Sequence, residues 1–305
     1  MKRISVVMAV LTLCVPTSHG LAQEKPKTTP KLTTTDIRSD QQLYRKTPQG
    51  DLQMHLYYPP DWKATDKRPA LVFFFGGGWK NGAYTQFVPQ AQYFASRGLV
   101  CACADYRIES KHKTTPDACV EDAKSAVRWL RTNARRLGLD SNAIIASGGS
   151  AGAHLAAATA LCEGFDAKDD DVKISCKPNA LLLFNPALNL TGDKRSIIDA
   201  NGKDIAREFS PTLFLKKGAP PTIIFFGTSD TLIAQGEEYL KKSTALGNRA
   251  ELFTAAGMPH GFFNRSPWTE VTARKADEFL TSLGYLQGAP TLILPAGAPR
   301  LGSAK

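Results

Sequence analysis

The chain has 305 residues, 43% of them hydrophobic, and a formal net charge of +10. That is enough apolar sequence for a full core, which excludes a disordered chain, and α/β domains of this size commonly stay single. The basic residues are spread along the chain rather than gathered into an arm. This argues against a nucleic-acid partner and leaves only a diffuse attraction to acidic ones, such as uronic-acid polysaccharides or anionic cell-wall polymers.

The chain opens on Met1-Lys2-Arg3, continues almost wholly apolar from Ile4 to Val15, and reaches Gly20-Leu21-Ala22 before the polar Gln23-Glu24-Lys25. That three-part plan is a secretory signal over residues 1–22, cleaved after Ala22, and it predicts a secreted or periplasmic protein. Its apolar run falls short of the roughly 20 residues a membrane span needs, so no stable insertion is expected once the signal is removed. Of the six cysteines, Cys14 leaves with the signal. Cys162 and Cys176 flank a polar loop that they could bridge in an oxidising compartment, whereas Cys101 and Cys103 alternate within an apolar strand as core residues do. None has metal-ligand spacing with a histidine, so neither a zinc site nor any other cofactor is expected.

Residues 23–40, rich in Lys, Thr, Pro and Asp, read as a flexible linker, and a single folded domain is expected over residues 41–288. Residues 52–58 alternate like a half-exposed strand, while the continuous apolar runs at 70–75, 99–104, 143–146, 180–184 and 222–226 read as strands covered on both faces. Helical patterns lie between most of them. The clearest spans 116–137, with Thr115 placed to cap, Pro116 at its first position and Arg128, Arg131, Arg135 and Arg136 towards its end; others fall near 86–97, 235–246 and 269–283. The stretch 185–221 has no clean period and is expected as a small lid-like insertion. Residues 289–305 form a Pro/Gly/Ala-rich tail, expected to be loosely attached.

Ser147-Gly148-Gly149-Ser150-Ala151-Gly152 follows the apolar run Ala143-Ile144-Ile145-Ala146 and opens a small-residue helix, so a strand, a sharp turn and a helix meet at Ser150. Glycines at 148 and 152 give a strained serine room against its neighbours, as in a nucleophile elbow. The helix start there offers unpaired N–H groups to a developing anion.

A serine hydroxyl needs a base, and the base needs an orienting acid. Asp230 follows the strand at 222–226, at the strand end where open α/β sheets bind ligands. His260 lies in the turn Gly257-Met258-Pro259-His260-Gly261-Phe262-Phe263. Of the five histidines, His19 departs with the signal, His55 lies on an early strand, His112 in a charged loop, and His154 on the helix behind Ser150, facing away from it. His260 is therefore the expected base. The glycine triplet of Phe75-Gly76-Gly77-Gly78-Trp79 lacks the Lys-Ser/Thr ending of a phosphate loop and reads as an anion site, with Gly77, Gly78 and Ala151 as N–H donors. Trp79, Phe262, Phe263 and Trp268 are candidates for a sugar or aryl platform.

With these residues in place, the chain resembles the α/β-hydrolase esterases over residues 45–285. The likeness is to secreted bacterial acetylxylan and feruloyl carbohydrate esterases, and more distantly to hormone-sensitive-lipase-like esterases. It rests on Phe75-Gly76-Gly77-Gly78-Trp79, Asp105-Tyr106-Arg107, Ala126-Val127-Arg128-Trp129-Leu130-Arg131, residues 148–155, Asp230 and Pro259-His260-Gly261-Phe262-Phe263. Phe75 is a departure, for the lipase-like relatives carry there a histidine that ties down the oxyanion loop. The resemblance implies an α/β-hydrolase fold with a mostly parallel central sheet flanked by helices. It also implies a cofactor-independent ester hydrolase acting on a small-molecule or polysaccharide ester. Alternatives are a short-chain lipid or aryl esterase, a peptidase lacking the usual accessory propeller, and a non-catalytic binding module; the last usually loses the serine or histidine that stands here.

Overall fold

The computed structural model describes residues 37–192 and 196–304, so the expected signal and most of the expected linker lie outside the described residues. Nine strands form one sheet: β1 (Arg38–Thr47), β2 (Gly50–Tyr58), β3 (Arg68–Phe74), β4 (Val100–Ala104), β5 (Leu139–Gly149), β6 (Ala180–Phe184), β7 (Thr222–Gly227), β8 (Ala250–Ala255) and β9 (Gly302–Ala304). Their order is β1-β2-β4-β3-β5-β6-β7-β8-β9. From β4 to β8 every neighbour is parallel, while β1, β2 and β9 run antiparallel to theirs. Among the described residues β1 starts at Arg38, slightly ahead of the expected Gln41. The tail is not loose at its end either, because Gly302 and Ser303 pair with Thr254 and Phe253 along the edge of β8.

Among the described residues the α-helices are α1 (Val88–Ser96), α2 (Glu109–His112), α3 (Pro116–Thr132), α4 (Ala151–Leu161), α5 (Ile233–Ala245) and α6 (Trp268–Ser282). Alternate strand residues serve opposite faces, which is why the central strands are apolar throughout. Val72, Phe74, Ala102, Ile144, Ala146, Leu181, Leu183 and Phe226 face one core, shared with α3 and α4. Leu71, Phe73, Cys101, Ile145, Leu182, Phe184 and Phe225 face the other, closed by α1 and α6. Helix α3 stops at Thr132, short of the expected Leu137, and Thr115 makes no side-chain cap bond. All five cysteines among the described residues are free thiols, Cys162 and Cys176 included.

The 185–221 insertion carries a 3-10 turn at Pro211–Phe214 and an isolated bridge between Ile198 and Asp204. Leu188, Leu190, Ile205 and Phe209 sink into the α3/α4 core. Gln235 of α5 accepts from the Leu188 and Asn189 amides at 2.7 and 3.0 Å, which fastens the start of the insertion to the sheet's C-terminal rim. Among the described residues no helix is long and apolar enough to cross a membrane.

Candidate active site

Strand β5 ends at Gly149 and α4 begins at Ala151, which leaves Ser150 alone in the turn with φ 53° and ψ −117°. A non-glycine residue adopts such a backbone only under constraint. Two bonds constrain it: the Ser150 amide donates to the Phe184 carbonyl of β6 at 2.8 Å, and its carbonyl accepts from the His154 amide at 2.9 Å. A Cβ on Gly148 would lie 2.4 Å from the Gly152 carbonyl carbon, and one on Gly152 would lie 2.1 Å from Phe74 O. Both glycines are therefore demanded by space, as the sequence pattern implied.

Asp230 follows β7 and is 3% exposed. Its Oδ1 accepts from the Leu232 amide at 2.9 Å, which leaves Oδ2 aimed at His260 Nδ1, 2.7 Å away. A carboxylate only accepts, so the ring proton sits on Nδ1 and the Nε2 lone pair is free to accept from Ser150 Oγ–H at 2.8 Å. The structure thus joins Ser150, His260 and Asp230 in one hydrogen-bonded series. His154 is wholly buried on α4, donates from Nε2 to Phe209 O at 2.7 Å, and plays no part in it. Burial pushes the His154 pKa down to about 4. His112 ends α2 and accepts the Ile108 amide on Nδ1, so it too is structural.

A cavity of about 300 Å³ opens over Ser150, lined by Gly76, Gly77, Gly78, Gln86, Asn185, His260, Phe263 and Asn264 among others. Gly77 (φ 130°) and Gly78 (φ 63°) turn the chain around it in conformations that side-chain-bearing residues avoid. A Cβ on Gly77 would also fall 2.0 Å from Asn81 O. Ala151, the third expected donor, starts α4, where the first N–H has no acceptor within the helix.

The aromatic platform is not assembled. Phe263 reaches the cavity wall, but Phe262 is 2% exposed and packs edge-on against Phe263 and Trp268 in the α1/α6 core. Trp79 has φ 61°, which returns its ring to the body of the protein, edge-on to His154 and Phe209. An aromatic ring satisfies a core as well as it does a sugar, and the backbone turn decides which.

Three amide side chains at the site were not foreseen. Asn185 follows β6, sits fully buried with φ 39°, places Nδ2 3.2 Å from His260 Nε2 and accepts the Gly261 amide on Oδ1 at 3.3 Å. Gln86 and Asn264 stand opposite, joined Nε2 to Oδ1 at 3.0 Å. Asn185 had one faint signal, since it too is a polar residue beyond the C-terminal end of an apolar strand.

A serine, a carboxylate and a histidine placed after β5, β7 and β8 of a mostly parallel sheet, beneath a glycine loop, define an α/β-hydrolase carboxylesterase. Comparison with known proteins places the chain within that class. The BD-FAE family model matches residues 54–243, and the chain belongs to this family. Thermogutta terrifontis esterase 2, solved phosphorylated by paraoxon, is 40% identical and superposes with a TM-score of 0.77 over 84% of this chain and 97% of that one. Its propionate-bound form gives the same identity and score over 85% and 98%. The carboxylesterase NlhH of Mycobacterium tuberculosis is 29% identical over 233 residues, 70% of this chain and 72% of that protein.

Proposed function

We propose that the protein is a secreted serine esterase that removes acetyl and other short acyl groups from esterified polysaccharides such as xylan, working through an acyl-enzyme on Ser150. The observation that carries this reading is the continuous Ser150–His260–Asp230 series, 2.8 and 2.7 Å, beneath a cavity walled by glycine backbone. His260 Nε2 takes the Ser150 proton as Oγ attacks the ester carbonyl, and Asp230 stabilises the imidazolium that forms. The developing oxyanion is received by the N–H groups of Gly77, Gly78 and Ala151, each worth on the order of 100-fold in rate. Nε2 then protonates the departing alcohol, and water activated by the same nitrogen releases the acid.

The short-acyl preference is supported by the cavity's size and by its polar Gln86, Asn185 and Asn264. Relatives point the same way, since Thermogutta terrifontis esterase 2 has been solved with propionate and with butyrate bound. With Trp79, Phe262 and Trp268 turned into the protein, acetyl is favoured over feruloyl. Secretion rests on the Met1 to Ala22 signal pattern.

The test is hydrolysis of 4-nitrophenyl acetate, butyrate and octanoate, with acetylated xylan alongside, by wild type and Ser150→Ala. Turnover of acetate and xylan by wild type alone is expected. Activity on aryl acetate with none on xylan would shift the reading to a short-chain aryl or lipid esterase, and an inert wild type would overturn it.

A further inference from the structure

The oxyanion loop lacks the histidine tie of its lipase-like relatives, yet its first two peptide groups are both held. Phe75 stacks on Tyr106 with centroids 4.0 Å apart, and its carbonyl accepts from the Tyr106 hydroxyl at 2.7 Å. The next amide, of Gly76, donates to Gln86 Oε1 at 2.6 Å. From the 3-10 turn Tyr84–Phe87, Gln86 extends Nε2 to Asn264 Oδ1 at 3.0 Å. Asn264 Nδ2 in turn donates to Gly261 O at 3.0 Å, one residue beyond His260.

The direction of this series is fixed at both ends. A peptide N–H can only donate, so Gln86 presents oxygen to Gly76 and its NH2 to Asn264; Asn264 then presents oxygen to Gln86 and its NH2 to a carbonyl that can only accept. Turning over either amide would break two bonds. One end of the series is the loop that carries the expected anion donors, and a Cβ on Gly76 would stand 2.8 Å from Gly149 O, so that loop rests directly on the elbow. The other end is the loop that carries His260. Donors and base must keep their spacing to a fraction of an ångström as charge develops, and misplacement by 1 Å can cost on the order of 100-fold.

We propose that Gln86 and Asn264 are positioning residues: a two-amide bridge that holds the oxyanion loop and the His260 loop at catalytic spacing. The inference rests on the serine-esterase reading above. Neither residue supplies the nucleophile, the proton or an oxyanion donor; both act through the loops they join. Asn264 is exposed and Gln86 half-buried, so replacing them leaves the two cores intact.

The experiment compares Gln86→Leu, Asn264→Leu, the double variant and the near-isosteric Gln86→Glu, which keeps an acceptor for Gly76 and loses the donor for Asn264. Turnover of 4-nitrophenyl acetate is read together with inhibition by butylboronic acid, whose adduct on Ser150 is a tetrahedral anion, and with thermal melting. Each single variant is expected to lose kcat about tenfold with KM within about twofold, and the double to be no worse than either single. The boronic acid Ki should rise by the same factor as kcat/KM falls. Wild-type kcat in the single variants overturns the bridge, as do losses that multiply in the double while boronate affinity stays unchanged. A wild type inert on every ester brings down the esterase reading and the bridge with it, whereas active enzyme with unimpaired variants removes the bridge alone.

Discussion

Asn185 Nδ2 lies 3.2 Å from His260 Nε2, the same ring nitrogen that Ser150 Oγ meets at 2.8 Å. Nδ1–H is committed to Asp230, so Nε2 offers one lone pair to two donors. The Asn185 carbonyl oxygen meanwhile accepts the Gly261 amide and steadies the turn that carries His260. Asn185→Gly keeps the left-handed backbone without strain and removes only the amide, so kcat is expected to fall about tenfold with the fold retained. Asn185→Ala should lose as much activity and, in addition, melt at a lower temperature, because alanine resists φ 39°. Wild-type kcat in the glycine variant would sink this role.

Ser150→Ala is expected to lose at least about 1,000-fold in kcat, with unchanged secondary structure by circular dichroism. Asp230→Asn should lose about as much, because an asparagine no longer enforces the tautomer with hydrogen on Nδ1. A fluorophosphonate probe should label wild type, fail on Ser150→Ala, and label Asp230→Asn slowly. Equal labelling of all three would place the nucleophile elsewhere.

Gly152→Ala sets a methyl 2.1 Å from Phe74 O and 2.3 Å from Phe75 O, both backbone atoms. Neither can swing aside, so the cost should exceed that of ordinary overpacking and reach at least about 2 kcal/mol. Urea titration measures it. Gly164→Ala is a useful comparison, since the added methyl meets nothing within 4 Å and only the φ of 73° opposes it.

The buried His154 couples stability to acid. Its pKa is pushed from 6.5 down to about 4 by burial, so the unfolded chain takes up this proton below about pH 6.5 while the folded protein does so only near pH 4. Across that window the unfolded state carries more protons, and stability therefore falls as pH falls, by about 3 kcal/mol from this residue. His154→Gln retains a donor for Phe209 O but no titration. The midpoint of urea unfolding, followed from pH 7 to pH 4, should decline less steeply in that variant; parallel slopes would refute the assignment.

Five of the strands, β3 to β7, were legible because a parallel strand buried on both faces is apolar along its core, a pattern no surface segment shares, and β2 was legible from its alternation. β1 escaped, since nine of its ten residues keep some exposure and the sequence RSDQQLYRKT has no apolar run. β9 escaped because Gly-Ser-Ala carries no hydrophobic signal, and its pairing along β8 exists only once the sheet is built. Ser150 was legible for a local reason: the two glycines that give it room stand two residues away on either side. The amide bridge had no such signature, for Gln86 and Asn264 are 178 positions apart and their pairing exists only once the sheet is built. Trp79 and Phe262 misled for the opposite reason, because composition names a large ring without saying which way its backbone points it.

At the elbow two consecutive N–H groups have different duties. That of Ser150 is bound to Phe184 O and holds the turn, while that of Ala151 opens α4, where it has no acceptor within the helix. A backbone donor has no side chain to be selected, so what heredity can act on is the room around it. Positions 148 and 152 set that room, because a Cβ at either would collide with backbone, so a change there reaches the chemistry through the turn it crowds.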